Sequence, residues 1–353
     1  MSENASASLA RISERKLSFV LPITLHEVVT SGKRPSWRHS PDYGAINRYE
    51  LLINSFMAHF KMDELCEFLI ICPSRDVPAI SEHLVSVTQD PRFRVLSETD
   101  LHLDLVSIFD KGHGEKPLAG WVTQQIIKLA ASAYVKSDFY VTLDSDIICI
   151  RPFGFDSLVV NGMSLVNRES YQDYLALYIS NFAQVEVYRK TVRYRTSAAI
   201  LGYVRSRSLD GVFYGETPVI LHRQTVNDLK MWLSARFKRP WYQGLSTQEG
   251  WSEYSLYFQF LEMTGELHSK CILAGCNTVL DLKRSVWQES QYYRSKRNYD
   301  ERHFMAAEKG DGGPFVAVQS WLSPTSWLPP RFNGVDEFYD EVNAWLLGHV
   351  STN

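Results

Sequence analysis

The sequence predicts an α/β fold: a mainly parallel sheet with helices on both faces, followed by a second half richer in helix. Three observations carry this. Short apolar runs alternate with helical periodicity through the first 150 residues. An acidic pair, Asp144 and Asp146, interrupts an otherwise apolar stretch. Past Arg151 helical segments predominate, with only short strand candidates between them. Strands alternating with helices are the pattern of a parallel sheet covered on both sides.

The elements follow in order. Leu17 to Ile23 is an apolar run that predicts the first strand, and Ala45 to Phe60 carries apolar residues at helical spacing. Glu67 to Cys72 is a second strand stopped by Pro73, and Phe93 to Leu96 a short third. Gly120 to Val135 is helical, with Trp121, Ile126, Leu129 and Ala133 available for a buried face, and Phe139 to Leu143 is a fourth strand. Beyond Arg151, Ser170 to Ala183, Thr225 to Phe237 and Gln248 to Thr264 read as helices, with Thr225 a candidate N-cap. Met163 to Val166, Pro218 to Leu221 and Phe315 to Val318 read as short strands, Gly310 to Pro314 as a loop, and Val335 to Leu347 as a last amphipathic helix.

Hydrophobic residues make up 45% of the 353-residue chain and charged residues 22%, a balance that excludes chain-wide disorder. The length alone suggests about two domains. No Pro/Gly/Ser-rich linker separates the halves, so one compact unit with two functional lobes is expected. Residues 1–16 form a disordered tail, 17–150 one half and 151–353 the other. Lys and Arg number 37 against 40 Asp and Glu, and the net charge of −3 argues against bulk nucleic-acid binding. No apolar stretch reaches the roughly 18 residues of a membrane span, and Met1 to Ala10 lacks the apolar core of a secretory signal. The five cysteines show no CxxC spacing, and several lie in apolar runs, as reduced core cysteines do. A cytoplasmic protein is the expectation.

The chemistry is concentrated in Phe139 to Phe153, FYVTLDSDIICIRPF. Two carboxylates in a buried stretch are costly unless paired or bound to a cation. At the carboxyl end of a parallel strand, where ligands sit, Asp144 and Asp146 point to one side because the strand period is two. Their oxygens suit Mg²⁺ or Mn²⁺, and such a metal would hold a diphosphate and stabilise it as it leaves. The bland alternative is a solvated surface turn.

FYVTLDSDIICI, preceded by GWVTQQIIKLAAS, resembles the DxD region of the GT-A glycosyltransferases. The closer similarity is to a bacterial family of uncharacterised proteins predicted to be GT-A sugar transferases. Its ordered pattern is matched at Gly120, Trp121, Gln124, Gln125, Lys128 and Leu129, at Asp144-Ser145-Asp146, at Thr217-Pro218, and at Glu253, Tyr254, Leu256 and Tyr257. The resemblance spans residues 17 to 330. It implies a Rossmann-like GT-A half with a helix-rich acceptor-side lobe, a UDP- or GDP-linked sugar donor, a divalent metal, and a glycan or lipid-linked acceptor in bacterial surface polysaccharide synthesis. By this carry-over Asp146 is the principal metal ligand and Asp144 reaches the metal or the ribose. Gln124, Lys128 and Ser145 lie by the donor, Lys128 near the aspartates or the diphosphate.

Pro22, Thr24 and His26 follow the first strand, where GT-A domains hold the base. Ser74, Arg75 and Asp76 follow the second, and Arg75 is placed to meet phosphate. In the second half, His222 is the first candidate to complete the metal shell and Gln319 the second. Glu253, an acid within an apolar aromatic helix, is the candidate to bind an acceptor hydroxyl or act as general base. Trp241 and Trp251 offer rings for a sugar, or core. Tyr188 to Arg195 and Arg236 to Tyr242 mix cations with aromatics, as an anionic glycan, a lipid-linked diphosphate or an inner-membrane surface would require. The alternatives are a sugar-phosphate nucleotidyltransferase, disfavoured because PITLHEVVTSG after the first strand is no Gly-rich phosphate loop, and a carbohydrate-binding protein without turnover.

Overall fold

A computed structural model describes residues 15–24, 45–101, 103, 120–177, 180–204, 211–285 and 312–317. The strands are β1 (Leu17–Pro22), β2 (Leu65–Cys72), β3 (Phe93–Ser97), β4 (Phe139–Thr142), β5 (Ile147–Cys149), β6 (Val159–Val160), β7 (Met163–Ser170), β8 (Val212–Tyr214), β9 (Val219–His222), β10 (Cys271–Ala274) and β11 (Phe315–Ala317). The longer helices are α1 (Ala45–His59), α2 (Val77–Val87), α3 (Gly120–Ala130), α4 (Tyr171–Leu177), α5 (Ser180–Leu201), α6 (Arg223–Phe237) and α7 (Glu253–Thr264).

The central sheet runs β3-β2-β1-β4-β9. Its first four strands are parallel, and β9 closes the edge antiparallel to β4. The expected mixed α/β class with a parallel-rich sheet is therefore the observed one. A second sheet, β10-β7-β6 with β8 also on β7, carries the second half, and a β11-β5 pair ties it to the first.

Strand alternation divides the core in two. Val20, Leu69, Ile71, Tyr140 and Leu221 face one apolar cluster, with α3, α5, α6 and α7 over it. Phe19, Leu21, Phe68, Ile70, Val141 and Ile220 face the other, under α1 and α2. Tyr49, Leu52, Ile53 and Phe56 supply the buried face of α1. Phe56 packs its ring 4.6 Å from Phe19, 4.8 Å from Phe60 and 5.1 Å from Phe68. Both sheet faces are thus dry, and ligands are left the strand ends.

Several expected elements change. Ser170 ends β7 instead of opening a helix, because its amide and hydroxyl both bond Asp173 and cap α4. The helix then restarts at Ser180 and runs to Leu201, so Tyr188 to Arg195 lies mid-helix. There Lys190 and Tyr194 point inward while Tyr188 stays exposed, and the segment is only in part a surface charge run. His222, not Thr225, caps α6: its Nδ1 accepts from the Thr225 amide at 3.4 Å. Gln248 to Ser252 precede α7 as a loop. Trp121 sits 40% exposed rather than in the core, and Trp251 is wholly buried, so it offers no ring to a ligand. The tail before residue 15, His26, Gln319, the start of the Gly310 to Pro314 loop and the Val335 to Leu347 helix lie outside the described residues.

Candidate active site

β1 is flanked by β2 on one side and β4 on the other, so the chain's course along the sheet reverses between β1 and β4. In a parallel sheet such a switch leaves a crevice at the carboxyl ends. Here the crevice opens into a cavity of about 610 Å³. Pro22, Ile23 and Thr24 line it from the end of β1, and Asp144, Ser145 and Asp146 from the end of β4. Residues of the second half, from Glu169 to Ala317, close its other walls.

The acidic pair occupies a turn, not a strand: the Ile147 amide donates to the Asp144 carbonyl at 3.2 Å, joining β4 to β5. A tight turn, rather than strand alternation, brings both carboxylates to the cavity. Trp121, Gln124, Gln125 and Lys128 fall at i, i+3, i+4 and i+7 of α3, which makes them one helix face. That face lines the cavity, while Ile126, Leu129 and Ala130 pack into the core.

Lys128 is the hub of this wall, with 1% of its side chain exposed. Its ammonium donates to Asp144 Oδ1 at 2.7 Å and to Thr217 Oγ1 at 3.1 Å, and stands 3.1 Å from Glu253 Oε1. Burial opposes the charge, but Asp144 and Glu253 outweigh it and hold the ammonium above its ordinary range. Glu253, the first residue of α7, is fully buried and its amide donates to Gln125 Oε1 at 3.1 Å. Burial raises its carboxyl above the usual range, against the pull of Lys128. Expected at an acceptor hydroxyl, Glu253 instead stands behind the cavity wall, off its surface, with its carboxylate against Lys128.

A second network lines the α5 side. Lys190 donates to Glu169 Oε2 at 2.8 Å and lies 3.2 Å from Glu216 Oε1. Arg193 donates to Glu216 Oε1 at 2.7 Å and to the Tyr254 hydroxyl at 2.8 Å, and Tyr254 donates to the same Glu216 oxygen at 2.8 Å. The Tyr174 hydroxyl bonds Glu169. Burial works against charge on Glu216, yet Lys190 and Arg193 prevail and hold its pKa down at about 2. Burial raises the Glu169 carboxyl, with Lys190 opposing. The two networks are joined covalently. Of the neighbours Glu216-Thr217 and Glu253-Tyr254, Thr217 and Glu253 meet Lys128, while Glu216 and Tyr254 meet Arg193.

Other expected residues lie elsewhere. His222 pairs with Phe139, at the start of β4, because β9 is antiparallel. The same pairing that brings Thr217 to the aspartates carries His222 to the opposite edge, away from Asp144 and Asp146 and off the cavity wall. Arg75 is exposed, 3.7 Å from Asp76 and off the cavity wall, while Thr24 donates to the buried Asp76 at 3.2 Å. Among the described residues no group of three His, Cys, Asp or Glu is set to hold a metal. The sequence reading had Lys190 and Arg193 only as members of the basic-aromatic segment Tyr188 to Arg195, and it missed Glu169, Tyr174 and Glu216. Glu216 alone had a signal, standing beside Thr217-Pro218.

Comparison with known proteins adds the family. Mouse xyloside xylosyltransferase 1, in its apo form, aligns at 12% identity and a TM-score of 0.44, over 86% of this chain and 98% of that one. The apo structure of the bifunctional glycosyltransferase WbbM aligns at 10% identity and a TM-score of 0.46, over 96% of this chain and 51% of that one. No curated protein matches in sequence. Residues 14–343 match the model described as "Family of unknown function (DUF6492)", and the chain belongs to that family.

Proposed function

We propose that the protein is a glycosyltransferase of GT-A type. It takes a UDP- or GDP-linked sugar and passes the sugar to a glycan or lipid-linked acceptor, on the cytoplasmic side, in bacterial surface polysaccharide synthesis. The observation that carries this is the placing of Asp144 and Asp146 in a roomy polar cavity at the strand switch, the position a diphosphate-bearing ligand takes in such sheets.

The donor set fits Mg²⁺ or Mn²⁺. Such ions keep several waters and are bound by one or two carboxylates plus substrate phosphates, so two aspartates meet the need without a third protein ligand. Asp144 and Asp146 would hold the ion, whose positive charge would offset that of a departing nucleotide diphosphate. Lys128 fixes the Asp144 carboxylate and adds a buried positive charge beside it. Glu253 and Thr217 hold Lys128 in place, so these three residues preorganise the wall rather than touch the reacting atoms. Gln124 and Ser145 present polar groups to the donor, and Pro22 and Thr24 border the place of the base. No described helix is long and apolar enough to cross a membrane. Peripheral contact falls in this reading to Arg236–Tyr242, where Arg236, Lys238 and Arg239 are exposed near Met231 and Trp232.

Thermal shift with UDP and GDP, each with and without Mn²⁺, tests the reading. One nucleotide should raise Tm by several degrees only when Mn²⁺ is present, and Asp146→Asn should abolish the rise. No shift with any nucleotide sugar, or an undiminished shift in Asp146→Asn, refutes it.

A further inference from the structure

We infer that the α5 side of the cavity is a subsite for a neutral, hydroxyl-rich acceptor sugar, an inference that rests on the transferase reading and narrows its acceptor. Arg189, Lys190 and Arg193 face Glu169, Glu186 and Glu216 there, and the six formal charges cancel. The pairs are already made: Lys190 with Glu169 at 2.8 Å, Arg193 with Glu216 at 2.7 Å, Arg189 with Glu186 at 3.6 Å. A phosphate or uronate entering this wall would have to compete with carboxylates for the same cations. A hydroxyl would not, because it donates to a carboxylate while accepting from an ammonium or guanidinium and adds no charge.

Energetics separate this wall from ordinary packing. Buried ion pairs contribute little net stability, since the desolvation cost cancels much of the attraction. Glu169 and Lys190 are almost wholly buried, yet both line the cavity. A fold seeking only stability would fill such positions with apolar side chains. One flat surface completes the subsite. Trp121 is 40% exposed on the wall, with the Arg193 guanidinium 5.6 Å from its ring centre, while the buried Tyr174 ring backs the Lys190 ammonium at 5.3 Å. An aromatic face beside alternating donors and acceptors matches a pyranose, which has apolar ring faces and a polar rim. The Glu216-Thr217 and Glu253-Tyr254 links tie this wall to the Lys128 network.

The test probes immobilised neutral oligosaccharides and their uronate- and sulfate-bearing counterparts with the full chain, with and without UDP or GDP and Mn²⁺. Capture should be confined to neutral glycans. Calorimetry with the best of them should show at least tenfold weaker binding in Glu216→Gln and in Trp121→Ala. Thermal melts separate a folding loss in Glu216→Gln from a binding loss, and Trp121→Ala, which alters a part-exposed ring, keeps the test open. Capture of charged glycans alone, capture of none under any condition, or undiminished binding in Trp121→Ala and in folded Glu216→Gln overturns the inference. A protein stabilised by nucleotide and Mn²⁺ that captures no neutral glycan fails this inference only. One that captures glycans and ignores every nucleotide fails the transferase reading.

Discussion

The Lys128 ammonium lies 2.7 Å from Asp144 and 3.1 Å from Glu253, so one buried cation serves a carboxylate on the cavity wall and another behind it. Removing it would leave Glu253 without its counter-charge in the core. Breaking a buried pair from one side costs about 3–5 kcal/mol. Lys128→Met is expected to lower the urea midpoint accordingly, and Lys128→Met with Glu253→Gln to recover much of the loss. Equal midpoints for the single and double variants would show that the pair is not coupled.

Asp144 and Asp146 should part company on substitution. Asp144→Asn removes one of the two charges on Lys128 and is expected to lower both Tm and the response to Mn²⁺ with nucleotide. Asp146→Asn leaves the Lys128–Asp144 pairing intact and is expected to lose the response to Mn²⁺ with nucleotide without freeing Lys128. Melting curves of the two variants, with and without ligand, measure the difference.

Glu216 should give the fold an acid-sensitive component. Its pKa is held at about 2 in the fold against an ordinary value of 4.5, so its charged form is favoured. The stability it contributes is present above pH 4.5 and drains away as pH falls toward 2. Wild type should therefore lose more stability than Glu216→Gln between pH 5 and 3, read as urea midpoints. A parallel decline of the two proteins would count against it.

Lys230 carries a cost of the opposite kind. Burial presses its pKa down to about 8 from 10.5, although it donates to Ser132 Oγ at 2.7 Å and stands 5.9 Å from the Trp241 ring. Charging it within the fold is unfavourable, so the penalty is full below pH 8 and vanishes by about 10.5. Lys230→Met is expected to gain about 1–2 kcal/mol at pH 7, the shift offset by the lost contacts. That gain should shrink as denaturation is repeated at pH 9 and 10.

Local patterns carried much of this structure. The apolar runs at Leu17, Glu67 and Phe139 became strands because both sheet faces are buried, and such strands need no partner to be recognised. Asp144, Asp146 and Lys128 stood out because charges in apolar context demand an explanation, and they do meet at one cavity. His222 was misplaced because strand direction is set by tertiary pairing, and no local residue marks β9 as antiparallel. The pairing of Lys190 with Glu169 escaped notice because the two lie on separate elements and meet only once α5 folds against β7. In sequence Lys190 was one more member of a basic segment.

The pairs Glu216-Thr217 and Glu253-Tyr254 each divide their two side chains between the networks. A one-residue insertion or deletion beside either pair would turn one side chain away from its partner, whatever the new residue's chemistry. Both stretches should therefore accept changes of residue type more readily than changes of length, and the chain locks the two halves of the cavity together by counting residues as much as by choosing them.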